Sequence, residues 1–369
     1  MLNNTAFNHY YSIFFTQSKL SNFFRSIDIK LNIISKAKDV CMNFFVISLK
    51  KNFFTILFSI FTITLILFSN SNLEAAKSGL ILWSSSVLPS LFPFFIATEL
   101  LYRTNFVNIL GKLLTKFMRP VFNVPGESAV CLILGTLSGY PMGAKLACNL
   151  KENKICTKYE AERLLAFTNN SGPLFVIATV GISMFYSKEI GFLLLVTHLL
   201  ASLTVGFIFR NWKKNQDEIS RVFTENTKKN EQISFSNLGE ILGDSIKSAI
   251  NLILTIGGFI VLFSVIISIL NSLIPGSMSN PVFAGILEVT NGLKLTTALN
   301  TKNLSTNIIL SSIILGFGGI SVMLQVYSVI SKYGISIKPY IYGKSLQAIL
   351  AGIYTFIALQ AFPYFTFSL

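Results

Sequence analysis

The sequence predicts an all-α polytopic membrane protein, with about seven transmembrane helices plus two re-entrant hairpins in an inverted repeat. Three observations predict it. First, 52% of the 369 residues are hydrophobic and only 12% are charged, about half the charge of a soluble domain. Second, several uncharged runs approach or exceed the roughly 20 residues that cross a bilayer. Third, two blocks rich in Gly, Pro, Asn and Ser interrupt apolar sequence, at Gly135–Lys145 and Thr168–Pro173. Such residues are poor choices for a lipid-facing helix. They suit broken helices whose freed backbone groups face a cavity, as in transporters that bind solute near the bilayer midplane.

The net charge of +14 fits Lys and Arg gathered in cytoplasmic loops, and no nucleic-acid-binding signature competes with that reading. The four cysteines, Cys41, Cys131, Cys148 and Cys156, show no paired spacing, so neither a disulfide framework nor a metal site is expected. His9 and His198 are the two histidines, and His198 reads as a packed side chain on an apolar helix. No hydrolase or nucleotide-binding motif is present, so no catalytic residues and no cofactor are expected.

In chain order, residues 1–52 form a basic, Phe-rich amphipathic arm suited to an anionic lipid surface. The arm lacks a compact signal-peptide core. A first transmembrane helix and loop follow over 53–78, with the helix at about Phe53–Ser69 and an outside loop around Ser71–Ser78. Repeat 1 covers 79–209. Its first span carries Pro89 and Pro93, which kink a helix, and Ser84–Ser86 are placed to bond freed backbone groups. Basic loops flank the stretch Ser128–Leu150 on both sides. A hairpin re-entering from the inner side, with Gly139-Tyr140-Pro141 at its tip, satisfies both loops. A span broken at Asn169–Pro173 and a returning span over Ile190–Phe209 complete the repeat. Residues 210–248 are a cytoplasmic linker ending in an interfacial helix over Asn237–Ser248. Repeat 2 covers 249–369. Its parts are a span over Ala249–Leu270, a hairpin over Pro281–Leu299 entered from outside, a span broken at Gly316–Ser321, and a last span over Tyr340–Ala361.

A single offset relates the halves: Gly135 to Gly285, Phe167 to Phe317 and Ser171 to Ser321 are each 150 apart (for example 285 − 135). With the hairpins entering from opposite sides, the repeats are inverted, an arrangement that permits alternating access around a site at their interface.

Four blocks carry a family resemblance: Leu91–Phe95, Ser138–Lys145, Phe167–Phe175 and Gly316–Gly319. With these the chain resembles the YlbJ/SpoVV family of sporulation integral membrane proteins over roughly residues 53–361. That family carries nucleoside-recognition (Gate) domains and is similar to concentrative nucleoside transporters. The resemblance implies an endospore-forming bacterium, a place in the outer forespore membrane, and transport of dipicolinic acid toward the spore. The arm 1–52 lies outside the family pattern.

Dipicolinate is a flat pyridine with two carboxylates, so its site needs donors and a cation. Asn169, Asn170 and Ser171 offer amide and hydroxyl donors, Lys145 a positive charge, and Tyr140 a ring to stack; Ser138 belongs to the same tip. Ser321, with the bare backbone of Gly318 and Gly319, is the counterpart in the second repeat. Glu288 is an intramembrane carboxylate, costly there and a functional candidate for that reason. With Asn291, Glu99 and Gln325 it is a candidate for a coupling Na⁺ or H⁺, the alternative being a salt bridge to Lys294. The expected partners are a small organic anion and membrane lipid, with no nucleic acid. A nucleoside or other small metabolite is the alternative cargo, and a non-transporting membrane scaffold the alternative function.

Overall fold

The computed structural model describes residues 51–216, 237–299 and 304–361. The basic arm, the middle of the linker (217–236) and the C-terminal residues 362–369 lie outside the described residues. The chain divides into two compact units, Met1–Leu67 and Phe68–Leu369. In the first unit the described part is helix α1, Lys51–Leu67, an apolar helix with Phe53, Phe58 and Ile66 exposed.

The second unit opens with α2, Ser69–Arg103. The outside loop expected over Ser71–Ser78 is instead the first part of this helix. Its weakly charged residues pack against α9 (Leu238–Leu273), where the Ser268 hydroxyl donates to the Ser71 carbonyl at 3.3 Å. Midway, α2 widens into a π-helical turn over Trp83–Val87. Pro89 has no N–H and its ring clashes with the carbonyl four residues back, so a wider turn relieves the ladder. The hydroxyls of Ser84 and Ser85 donate to the Ile81 carbonyl, at 3.2 and 2.6 Å.

Helix α3, Phe106–Phe122, buries Val107, Leu110, Met118 and Phe122. It meets the following helix at a bend of 90°. The first hairpin then pairs α4 (Ala129–Ser138) with α5 (Met142–Glu152). Helix α6, Lys158–Leu165, starts at a capping box in which the Thr157 side chain and Glu160 satisfy each other's backbone N–H. Beyond α6 the helix unwinds. Asn169 and Asn170 compete for backbone partners, and Gly172-Pro173 removes a donor and disfavours helical geometry before it. The π-helical segment α7, Phe175–Met184, resumes the span, and α8, Lys188–Ile208, returns.

The interfacial helix expected over Asn237–Ser248 is not separate. It is continuous with the next span as α9, a 36-residue helix, about 54 Å long and well over the ~30 Å hydrocarbon thickness. The second hairpin pairs α10 (Pro281–Leu287) with α11 (Val289–Ala298), breaking at Glu288. A broken span follows as α12 (Leu304–Phe317) and α13 (Gly319–Ile330). Gly318 sits between them at φ +81°, a left-handed conformation that a side chain disfavours. Helix α14, Lys338–Ala361, is last.

The described residues are all-helical, without strands. Among the described residues four helices are long and apolar enough to cross a membrane: Ser69–Arg103, Lys188–Asn211, Leu238–Leu273 and Leu304–Tyr333. The bent pair over 106–138 makes a fifth if it counts as one span. The expected last crossing, α14, is long enough but carries Lys338, Lys344 and Gln347, which lower its apolar character. Two apolar clusters hold the unit together. One joins Phe95, Met118, Leu134, Leu146, Phe167 and Ile256; the other joins Phe175, Val180, Ile190, Val289, Ile308 and Val322.

Candidate functional site

Each hairpin is seated against a broken span by close backbone approach. A Cβ on Gly143 would collide with the Thr168 carbonyl oxygen, and one on Gly139 would come within 3.1 Å of the Gly172 nitrogen. In the other half, a Cβ on Gly319 would come within 3.1 Å of the Gly285 carbonyl oxygen and 3.2 Å of the Val289 nitrogen. The two hairpins therefore use the same device, and their tips, Gly139-Tyr140 and Glu288, line one small cavity of about 20 Å³. That is room for about one water molecule. Gly172, Thr290 and Gln325 add to its wall, with Ile256 from one apolar cluster and Phe175 and Val322 from the other.

Beside this cavity lies a vestibule of about 450 Å³, within the range of small-molecule sites. Ile256 and Gln325 line both spaces, so the vestibule reaches the wall of the inner cavity. Its charged lining residues are Lys145 and Lys332, and its polar ones include Ser248, Asn251, Thr255 and Ser328. Lys145 does not stand free. Its Nζ lies 2.6 Å from Glu99 Oε2 and 2.5 Å from Ser248 Oγ. Arg103 also reaches Glu99 (3.8 Å) and Asp244 (3.9 Å). Since Glu99 offsets Lys145, the excess positive charge of the vestibule comes from Lys332.

The sequence-predicted residues sort by position. Tyr140, Glu288 and Gln325 meet at the cavity. Glu288 caps α11, its Oε2 accepting from Asn291 N at 2.8 Å and Asn291 Nδ2 at 2.9 Å. Among the described residues it makes no ion pair with Lys294. Ser321 is fully buried one turn before Gln325, whose Nε2 lies 3.4 Å from its hydroxyl. Gly318 and Gly319 form the break that receives the second hairpin.

Others do not line the cavity and sit in helix contacts around it. Ser138 is bonded to the Thr98 hydroxyl, which ties the first tip to α2. Asn169 Oδ1 accepts from Ala144 N at 2.7 Å, fixing the start of α5 to the broken span. Asn170 donates to Ser202 Oγ at 2.9 Å and accepts from Gln347 Nε2 at 3.0 Å. The Ser171 backbone N–H donates to His198 Nε2 at 3.3 Å.

Sequence reasoning missed Thr290, Lys332, Lys344 and Gln347. Lys332 follows the second broken span, where sequence alone marks it only as a loop charge. Lys344 carried a usable signal, an ionisable residue inside an apolar run.

Residues 84–210 match the family model described as nucleoside recognition, named Gate. Fold and match together define the class: a polytopic α-helical membrane protein with a nucleoside-recognition domain spanning the first hairpin and broken span. The chain is 34% identical over 333 residues to the sporulation integral membrane protein YlbJ of Bacillus subtilis (strain 168), covering 80% of each chain. It belongs to that family of integral membrane proteins, as the motif blocks implied. No solved structure matches it.

Proposed function

We propose that this protein carries a small organic anion, dipicolinic acid, across a membrane during endospore formation, by alternating access between two inverted repeats. One observation supports this most: two hairpin tips, each seated on a broken span, meet at a cavity that abuts a positively charged vestibule. The breaks fall near the offset of 150 read from sequence: α4 ends at Ser138 and α10 at Leu287, 149 apart (287 − 138), and α6 ends at Leu165 and α12 at Phe317, 152 apart (317 − 165). Shared break positions favour a common ancestral unit, and repeats of this kind hold solute at their interface.

The vestibule suits the anion in size and sign, and the inner cavity has room for only about one water. In this conformation the hairpin tips close the solute site. Glu288 gives the coupling. A carboxylate at a site that takes a dianion must be neutralised, and a proton or Na⁺ bound with the anion does so. Outer forespore placement follows from the family resemblance and belongs to the same proposal.

Purified protein in liposomes tests it. Saturable dipicolinate uptake is expected, lost or strongly slowed in Glu288→Gln. No saturable flux, or Glu288→Gln and Asn170→Ala both matching the parent, would sink the proposal and leave the scaffold reading. The Gate match favours a second cargo, a nucleoside. Stabilisation by nucleosides and not by dipicolinate in a thermal-shift assay would select it.

A further inference from the structure

We infer that Lys344 is a proton-binding site through which pH sets how the broken first span is held against α14. Two cations are almost fully buried among the described residues, Arg163 and Lys344. Arg163 is supplied with carbonyls, Trp212 O and Asn123 O, both at 2.9 Å. Lys344 is 3% exposed, lies about 9 Å along α14 from its start at Lys338, and has no carboxylate within 4.0 Å among the described residues. The bond shown for its Nζ runs to Gln347 Oε1 at 2.8 Å. A buried ammonium with one neutral acceptor is an uncompensated charge.

The elements packed on α14 are α12, α8 and α6. Helix α12 carries no titratable residue from Leu304 to Phe317. Helix α8 presents His198, fully buried, with Nε2 facing the Ser171 N–H and Nδ1 unpartnered; its Lys188 and Glu189 stand in its first turn. On α6, Glu160 pairs with Arg119, Glu162 with Trp212 Nε1 and Lys213, and Arg163 as above; Lys158 is exposed at its start. On α14 itself, Tyr340 lies one turn before, its hydroxyl unpartnered. None of these carboxylates neutralises Lys344.

The consequence runs through one amide. When protonated, Lys344 donates to Gln347 Oε1. That fixes the amide so that Nε2 donates to Asn170 Oδ1 (3.0 Å) and lies 3.3 Å from the His198 carbonyl. Asn170 belongs to the unwound stretch, and the Gly343 backbone lies against Ala166 so closely that a Cβ would strike its carbonyl oxygen. Loss of one proton to water leaves a neutral amine with a lone pair and a weaker bond to Oε1. The amide then turns its N–H₂ to the amine and withdraws it from Asn170. The site binds a proton and needs no further reactant, and it exists whether or not the chain carries a solute.

The test is the thermal unfolding midpoint of the purified full-length protein in nanodiscs, followed from pH ~6 to ~10. The difference between parent and Lys344→Met is expected to change by several degrees across this range. Gln347→Glu, which supplies a counter-charge and holds the ammonium, is expected to flatten the parent's dependence. Parallel pH curves for parent and Lys344→Met would overturn the inference. Should Lys344→Met fail to fold, a Gln347→Glu curve parallel to the parent would overturn it equally. Flux in liposomes is measured on the same samples. A titrating Lys344 without flux removes the transport proposal alone, and flux without titration removes this site alone.

Discussion

At the scale of single residues, the polar side chains of the first broken span act chiefly as clamps. Asn169 has its Oδ1 on the Ala144 N–H, both buried. Its truncation to Ala leaves that N–H unpaired, which costs about 1–3 kcal/mol. We therefore expect Asn169→Ala to lower the unfolding midpoint in detergent, with dipicolinate present or absent. A midpoint equal to the parent's would show that the clamp carries no load. Glu288 is different in kind. It caps α11 through Asn291 and also faces the cavity. Glu288→Gln keeps an oxygen for the cap, so it should melt near the parent temperature while altering transport. A large loss of stability would reassign Glu288 to structure. The motif blocks made Asn169 and Asn170 visible in the sequence, and Glu288 stood out as a carboxylate inside an apolar segment. The division into clamp and cavity residue was not visible, because it depends on which neighbour each atom meets.

At the scale of elements, the hairpins and α14 depend on absent side chains. Gly343 brings α14 against the Ala166 carbonyl, leaving no room for a methyl group. Gly343→Ala should destabilise by about 1–3 kcal/mol, the usual range for overpacking. Gly258 in α9 is the control, since nothing lies within 4 Å of a Cβ there. Gly258→Ala should be neutral or stabilising by about 0.4–1 kcal/mol. Melting curves of the two variants decide the matter, and equal effects would refute the close-approach argument. The breaks at Gly172-Pro173 and Gly318 were legible, because Pro and Gly act locally. The joining of 237–248 to the following span was not. Whether a polar helical stretch stops at the membrane surface or runs on as α9 depends on what packs beside it.

At the scale of the whole molecule, the vestibule adjoins the cavity between the hairpin tips, with Ile256 and Gln325 lining both. Lys145 and Lys332 line the vestibule, and among the described residues Lys332 has no carboxylate partner such as Lys145 has in Glu99. Lys332→Glu should weaken uptake of an anion more at low salt than at high, because exposed charges are screened within about 10 Å at 0.1 M. Liposome uptake at two salt concentrations measures this. An unchanged rate at low salt would show that the vestibule does not gather anions. Ser328→Cys and Thr255→Cys, both on vestibule walls, should react with an impermeant maleimide from one face of the membrane only. Equal labelling from both faces would contradict a vestibule open to one side.

The sequence by itself determined the membrane class, the two blocks that break helices and the family. These rest on composition, on Pro and Gly chemistry and on motifs, all of which are local to the chain. The tertiary structure decided which polar residues face the shared cavity, that Lys145 is held by Glu99 and Ser248, and that Lys344 is buried beside a Gln347 that donates to Asn170. The contacts of Lys145 with Glu99 and Ser248 and of Gln347 with Asn170 join residues more than 40 positions apart, in one case 177. A buried polar atom takes whichever partner packing brings to it, and no local pattern in the chain records that choice.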